Sequence, residues 1–192
     1  MVNLIFLSGS IRKNSFNTKL AKSAYNIGNN IDNVNAQFVN LAEYEMPIYN
    51  GDLEEESGLP ENANKLKEVF RNADGFFIAS PEYNSSFSSL LKNSLDWISR
   101  PHENNEPPLV AFSGKVAAIS SASPGGFGGM RGLVPLRMML ENISTIVIPK
   151  QLAISSAHKE FDDSGNITNE RYKTSLQDLV INFADTAKRM KK

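Results

Sequence analysis

Cysteine is absent from all 192 residues. That excludes disulfides, a thiolate nucleophile, iron–sulfur clusters and cysteine-ligated zinc. Histidine is scarce as well. His102 and His158 stand far apart in polar contexts, so a histidine-rich metal centre is not expected. The G-x-S-x-G elbow that announces many serine hydrolases is missing. No apolar run approaches the roughly 20 residues that span a bilayer, so no membrane partner is expected. A charge excess of either sign is missing too. The formal net charge of −1 offers no broad basic surface to nucleic acid. Met1 leads straight into an apolar run without a basic leader, which makes the cytoplasm the expected location. If such a chain does chemistry, a bound cofactor carries it.

What is present is a repeated alternation of apolar runs and helical periodicity. Leu4 to Leu7 reads as a buried strand. Phe16, Leu20, Ala24 and Ile27 mark one helix face, which Gly28 closes. Residues 36–41 read as a second strand, and 43–61, broken by Pro47, Gly51, Gly58 and Pro60, as irregular. Ala63 to Ala73 suggests a second helix. The run 75–79 is almost wholly apolar, as suits a parallel strand covered on both faces. Phe87 to Ile98 traces a third helix, 101–114 a proline-rich loop and 115–120 a fourth strand. A fourth helix follows through Leu140, with Pro135 expected in its first turn or at a kink. Residues 146–148 form a fifth strand stopped by Pro149, and Leu176 to Met190 marks a closing helix with a basic tail. The expected fold is α/β: a flavodoxin-like, doubly wound, five-stranded parallel sheet of order 2-1-3-4-5 with helices on both faces. Residues 1–192 read as one domain.

In such a sheet ligands bind beyond the carboxyl ends of the strands, and the three loops expected there are unusual. After the first strand come Ser8-Gly9-Ser10-Ile11-Arg12-Lys13-Asn14-Ser15-Phe16-Asn17. A strand, a polar loop and a helix N-terminus together suit an oxyanion. Ser10, Ser15 and Asn17 can donate to phosphate oxygens, and Arg12 can bind them in a fork. Neither G-x-G-x-x-G nor G-x-x-x-x-G-K-[ST] is present, so an ordinary turn capped by Ser15 stays open. After the third strand, Pro81-Glu82-Tyr83-Asn84 groups an aromatic plane, a carboxylate and an amide. These could line a heteroaromatic ring or merely start the next helix. After the fourth strand, Ser121 to Gly129 includes four glycines, which allow a flat ligand to approach the backbone or simply make a flexible turn.

Together these blocks resemble the NADPH-dependent FMN reductase family, which includes bacterial quinone, chromate and azo-dye reductases. The resemblance rests on Gly9-Ser10-x-Arg12-x-x-Ser15-x-Asn17, on Pro81-Glu82-Tyr83-Asn84, on Leu91-Lys92-Asn93-x-x-Asp96-Trp97 and on Ser123-Pro124-Gly125-Gly126. It implies that Ser10, Arg12, Ser15, Asn17 and the backbone of Phe16 hold the FMN phosphate. It also implies that Pro81, Glu82, Tyr83 and Asn84 line the isoalloxazine, and that Ser121, Ser123, Gly125 and Gly126 border its pyrimidine side. The implied activity is ping-pong hydride transfer from NADPH or NADH to FMN, then to a small-molecule acceptor: a quinone, a flavin, an azo compound or a metal oxyanion. A homodimer or homotetramer is implied, with Arg100 and the 101–114 loop at the contact and the 43–61 segment near the flavin. Asp96 and Trp97 read as structural or interfacial. The alternative is a flavodoxin-type carrier or flavin-binding module without turnover of its own. Such carriers are typically strongly acidic, unlike this chain.

Overall fold

A computed structural model describes residues 1–102 and 105–191. Glu103 and Asn104 of the expected 101–114 loop, and Lys192 of the basic tail, lie outside the described residues. The chain runs β1 (Val2–Ser8), α1 (Phe16–Gly28), β2 (Val34–Val39), α2 (Gly51–Ser57), α3 (Glu61–Asn72), β3 (Gly75–Ala79) and α4 (Ser89–Ile98). It continues through β4 (Val116–Ala122), α5 (Met130–Asn142), β5 (Ile146–Val147), β6 (Leu152–Ile154) and α6 (Glu170–Met190). The strands are parallel and lie in the order β2-β1-β3-β4-β5, as the alternation predicts.

Alternate residues of each central strand face opposite layers. Leu4, Phe6, Phe77 and Ala118 pack with α1 and α6, while Ile5, Leu7, Phe76, Ile78 and Ile119 pack with α3, α4 and α5. Both faces are therefore apolar. That is why β3 reads as an unbroken hydrophobic run rather than an alternating one.

Three local features differ from the sequence expectation. The stretch 43–61 contains α2, capped by Asn50, whose Oδ1 accepts from the Asp52 N–H at 2.8 Å. No residue of α2 is buried, so it leaves no apolar stripe to read. Pro135 sits inside α5, beyond its first turn. The fifth strand is split: β5 pairs with Val116 and Ala117, whereas β6 pairs with Ser120 to Ala122 in a shifted register, Ser120 opposite Leu152. Pro149 has no N–H to give the ladder. The carbonyls stranded at the break are taken by Arg137 of α5, which donates to Val147 O at 3.2 Å and to Ile148 O at 3.0 Å.

Gly28, the stop of α1, is also a packing residue. A Cβ there would overlap the ring of Phe6. That ring is fully buried and stacks on Phe77 at 5.7 Å, so it has no room to yield. Gly28→Ala should therefore lower stability by about 1–3 kcal/mol through overpacking, despite alanine's better helix propensity. The check is a lower urea midpoint with an unchanged slope.

Candidate functional site

The loops after β1, β3 and β4 meet at one edge of the sheet, stitched by strand-end peptides. Gly9 N–H donates to Ala79 O at 2.9 Å, and Ser80 N–H donates to Ser120 O at 2.8 Å. In the first loop Ser15 caps α1, its Oγ accepting from Thr18 N–H at 3.4 Å. Ser10 Oγ accepts from Arg12 N–H at 3.3 Å, and Thr18 Oγ1 donates to Ser10 O at 3.3 Å. Ser10 and Ser15 are buried while Arg12 projects outward, and Arg12 makes no ion pair among the described residues. The amides of Phe16 and Asn17 belong to the first helical turn, whose N–H groups lack intrahelical partners. Hydroxyls, open amides and an unpaired guanidinium are a donor set that fits a phosphate monoester.

Asn17, expected among the phosphate ligands, is engaged elsewhere. Its Nδ2 donates to Ala122 O and its Oδ1 accepts from Ala122 N–H, both at 2.9 Å. The side chain thereby ties α1 to the end of β4 and keeps one amide hydrogen for a ligand.

In the second loop, Tyr83 and Ser86 exchange backbone hydrogen bonds at 2.8 and 3.0 Å around Asn84 and Ser85. Both central residues have positive φ, 52° and 64°, the geometry of a type I′ turn. The turn leaves Tyr83 exposed. Pro81 packs behind the loop, its Cδ 3.3 Å from where a Cβ on Gly9 would stand. Glu82 reaches across to α5. Its carboxylate pairs with Arg131 at 2.8 Å and accepts from Gly132 N–H at 3.3 Å, placing a negative charge at the helix N-terminus. Ser88, which carried no expected role, caps α4 and donates to Gly9 O at 2.6 Å. Its sequence signal was the ordinary one of a serine just before an apolar helical run.

The glycines of the third loop divide by duty. Gly125 and Gly126 face open space, with nothing within 4 Å of a Cβ on Gly126. Gly128, with φ 61°, abuts the backbone of Ile154 and Ser155, where a Cβ would stand 2.8 Å away. Gly129, with φ 86°, covers Ser121. Ser121 is fully buried beneath it, its Oγ without a hydrogen-bond partner among the described residues. Ser123 Oγ accepts from Gly125 N–H at 3.2 Å and shapes the turn. Between the second and third loops lies a cavity of about 310 Å³, lined by Glu82, Asn84, Ser123, Gly125, Gly126 and Phe127. Such a hollow, with glycine backbone on one side and Glu82, Asn84 and Phe127 around it, can admit the edge of a flat ring.

The Asn93-x-x-Asp96-Trp97 helix holds the 43–58 segment. Trp97 is fully buried among Leu59 and Ala63, with its Nε1 donating to Pro47 O at 2.8 Å and Tyr49 edge-on at 5.0 Å. Asn93 donates to Pro47 O at 2.9 Å and accepts from Tyr49 N–H at 2.7 Å. Arg100, expected at a subunit contact, pairs within the chain with Glu54 at 2.9 Å. Burial alone would raise the Glu54 carboxyl, but hydrogen bonds from Arg100 and Tyr49 hold it below its ordinary pKa.

The Glu82 linkage separates two roles by experiment. If its chief work is to fasten α5, Glu82→Ala should cost about 1–3 kcal/mol of stability, and Glu82→Gln clearly less, by denaturant midpoint. Unchanged midpoints in both variants would point instead to a role at the ligand.

The profile of the NADPH-dependent FMN reductase family matches residues 2–159. The chain is 35% identical over 188 residues to a probable NADPH:quinone oxidoreductase 2 of Oryza sativa subsp. japonica, covering 96% of this chain and 88% of that protein. It is 33% identical over 177 residues to an NAD(P)H-dependent FMN reductase of Pseudomonas aeruginosa, covering 92% and 90%. Among solved structures, the flavoenzyme NAD(P)H:(acceptor) oxidoreductase of Paracoccus denitrificans superposes with a TM-score of 0.83 at 28% identity, covering 99% of each chain. With its parallel sheet, its phosphate-fitting loop and these relatives, the chain belongs to the NADPH-dependent FMN reductase family, oxidoreductases that use FMN and NAD(P)H.

Proposed function

We propose that residues 1–192 work as one FMN-binding domain that oxidises NADPH or NADH and reduces a small-molecule acceptor in two successive half-reactions. The observation that carries this reading is the donor set after β1 at the same edge of the sheet as the cavity between the next two loops. Ser10, Arg12, Ser15 and the amides of Phe16 and Asn17 would hold the FMN phosphate. Pro81 to Asn84 and Ser123 to Gly126 would flank its ring system. When bound, the flavin supplies the redox chemistry, taking hydride from the nicotinamide and giving two electrons to the acceptor.

The chain's own part is binding, orientation and exclusion of water. The Glu82 carboxylate is occupied by Arg131 and Gly132 and is not poised as an acid or base. Tyr83 and Phe127 are exposed at the mouth and offer aromatic surface to a planar acceptor. That openness suits quinones, flavins, azo compounds and metal oxyanions alike. One cavity serving both partners favours the ping-pong order, in which the oxidised nicotinamide leaves before the acceptor arrives.

A homodimer or homotetramer belongs to the same proposal. Met130, Val134 and Met138 recur at four-residue spacing on the outside of α5 and are exposed, with Phe127 just before them. An apolar stripe of this kind beside the mouth suits a second copy closing over it. No described helix is long and apolar enough to cross a membrane, and the cytoplasm is the proposed compartment.

The protein should purify yellow, and its flavin bands should bleach on anaerobic addition of NADPH. Bands that persist would favour a carrier or a silent flavin-binding module. Arg12→Ala should emerge largely free of flavin with an unchanged circular dichroism spectrum. Full flavin occupancy in that variant would remove Arg12 from the cradle.

A further inference from the structure

We propose that the cavity between α1 and the 162–166 turn, which adjoins the cradle after β1 and shares Ser15 with it, is a second phosphate-binding site. Residues 1–31 carry four cations, Arg12, Lys13, Lys19 and Lys22, and no aspartate or glutamate, in a chain whose formal net charge is −1. Three of them, Lys13, Lys19 and Lys22, line a single polar hollow of about 300 Å³ together with Ser15, Thr18, Ser23, Asn26 and Asn166. None of these three lysines forms an ion pair among the described residues. Elsewhere lysines on helix surfaces are neutralised locally: Lys65 by Glu61, Lys92 by Asp96 and Lys173 by Glu170.

Two of the ammonium groups are held without being neutralised. Lys19 Nζ donates to Asp162 O at 3.3 Å and lies 5.8 Å from the centre of the Phe16 ring. Lys22 Nζ lies 5.8 Å from the centre of the Phe38 ring. Gly165 packs on the Lys19 stem, with a Cβ position 3.3 Å from Cγ. The turn also carries Asp162 and Asp163, and the Asp162 carboxylate accepts from Asn166 N–H at 2.8 Å and from Asn166 Nδ2 at 3.2 Å.

Gathering like charges around a concave surface raises the local potential and concentrates anions there. Ammonium groups act as compact point charges with freely directed donors. A lysine set with amide and hydroxyl neighbours therefore matches a tetrahedral dianion, a phosphate monoester or inorganic phosphate. The site runs from the Ser15 cap along the flank of α1 to Asn26, and Lys13, Lys19 and Lys22 are not among the residues assigned to FMN. Its occupant is either the 2′-phosphate of NADPH or free phosphate.

The test titrates inorganic phosphate into the FMN-loaded protein by calorimetry in a phosphate-free buffer, so that the cradle is already filled. Saturable binding is expected. A Lys19→Gln/Lys22→Gln double variant should keep its FMN content and bind phosphate at least tenfold more weakly, while Lys19→Arg/Lys22→Arg should retain binding. If the 2′-phosphate is the occupant, the glutamine variant's KM for NADPH rises at least tenfold, its KM for NADH stays unchanged, and phosphate competes with NADPH but not with NADH. If free phosphate is the occupant, both KM values stay and only the titration responds. No saturable binding by the wild-type protein, or equal binding by the glutamine variant, overturns the site. Were the protein to carry no FMN, phosphate binding that survives Arg12→Ala but is lost in Lys19→Gln/Lys22→Gln would assign it to the cavity. Failure of the flavin reading would then be distinguishable from failure of this one.

Discussion

Parallel strands that end along one edge leave their last peptide groups without a continuing ladder, and buried peptide groups must find partners. In this chain Asn17 answers that need for β4. Its side-chain amide presents an acceptor and a donor to Ala122 much as a neighbouring strand would. Because Asn17 sits in the first turn of α1, the bond also fixes where that helix begins. The phosphate-fitting loop, the cap at Ser15 and the position of the glycine loop all depend on it. Ser88 repeats the device between α4 and Gly9, and Glu82 between the second loop and α5. The mouth of the site is a ring of loops joined by short polar side chains, with the ligand space left inside.

A second layer of support comes from α4. Its buried Trp97 and its Asn93 hold Pro47 and Tyr49, and Arg100 holds Glu54. The Asn93-x-x-Asp96-Trp97 block thus serves the packing of this segment. It anchors a long, polar segment that could not otherwise bury enough surface to order itself. Burying an indole with its N–H satisfied is an effective way to do this with one residue.

The central strands and the helices facing them were legible because burial on both sides writes itself as apolar runs and 3.6-residue stripes. Helix α2 was not, since none of its residues is buried and only its Asn50 cap and Gly58 stop mark it. The sixth strand was hidden by Pro149, which read as an end although Arg137 bridges the break. At the site, residue types were legible but their engagements were not. Asn17, Glu82 and Ser121 have the right chemistry for a ligand. Yet Ala122 and Arg131, which engage Asn17 and Glu82, lie far away in sequence, and Gly129 comes back onto Ser121 only through the turn of the third loop. Spacing along a chain records periodicity and not these cross-loop bonds.

The glycines at the start of α5 impose an asymmetry on how this protein can change. Gly128, Gly129 and Gly132 are hemmed in by backbone and by Ser121, so even one methyl group there would push the third loop away from its neighbours. Gly125 and Gly126 face open space and can accept side chains without disturbing anything behind them. Divergence toward new electron acceptors therefore has a narrow corridor. It can proceed by exchanging the exposed Tyr83 and Phe127, since side chains at Gly125 and Gly126 would occupy the cavity that they line. The platform that carries them stays frozen by atoms that are not there.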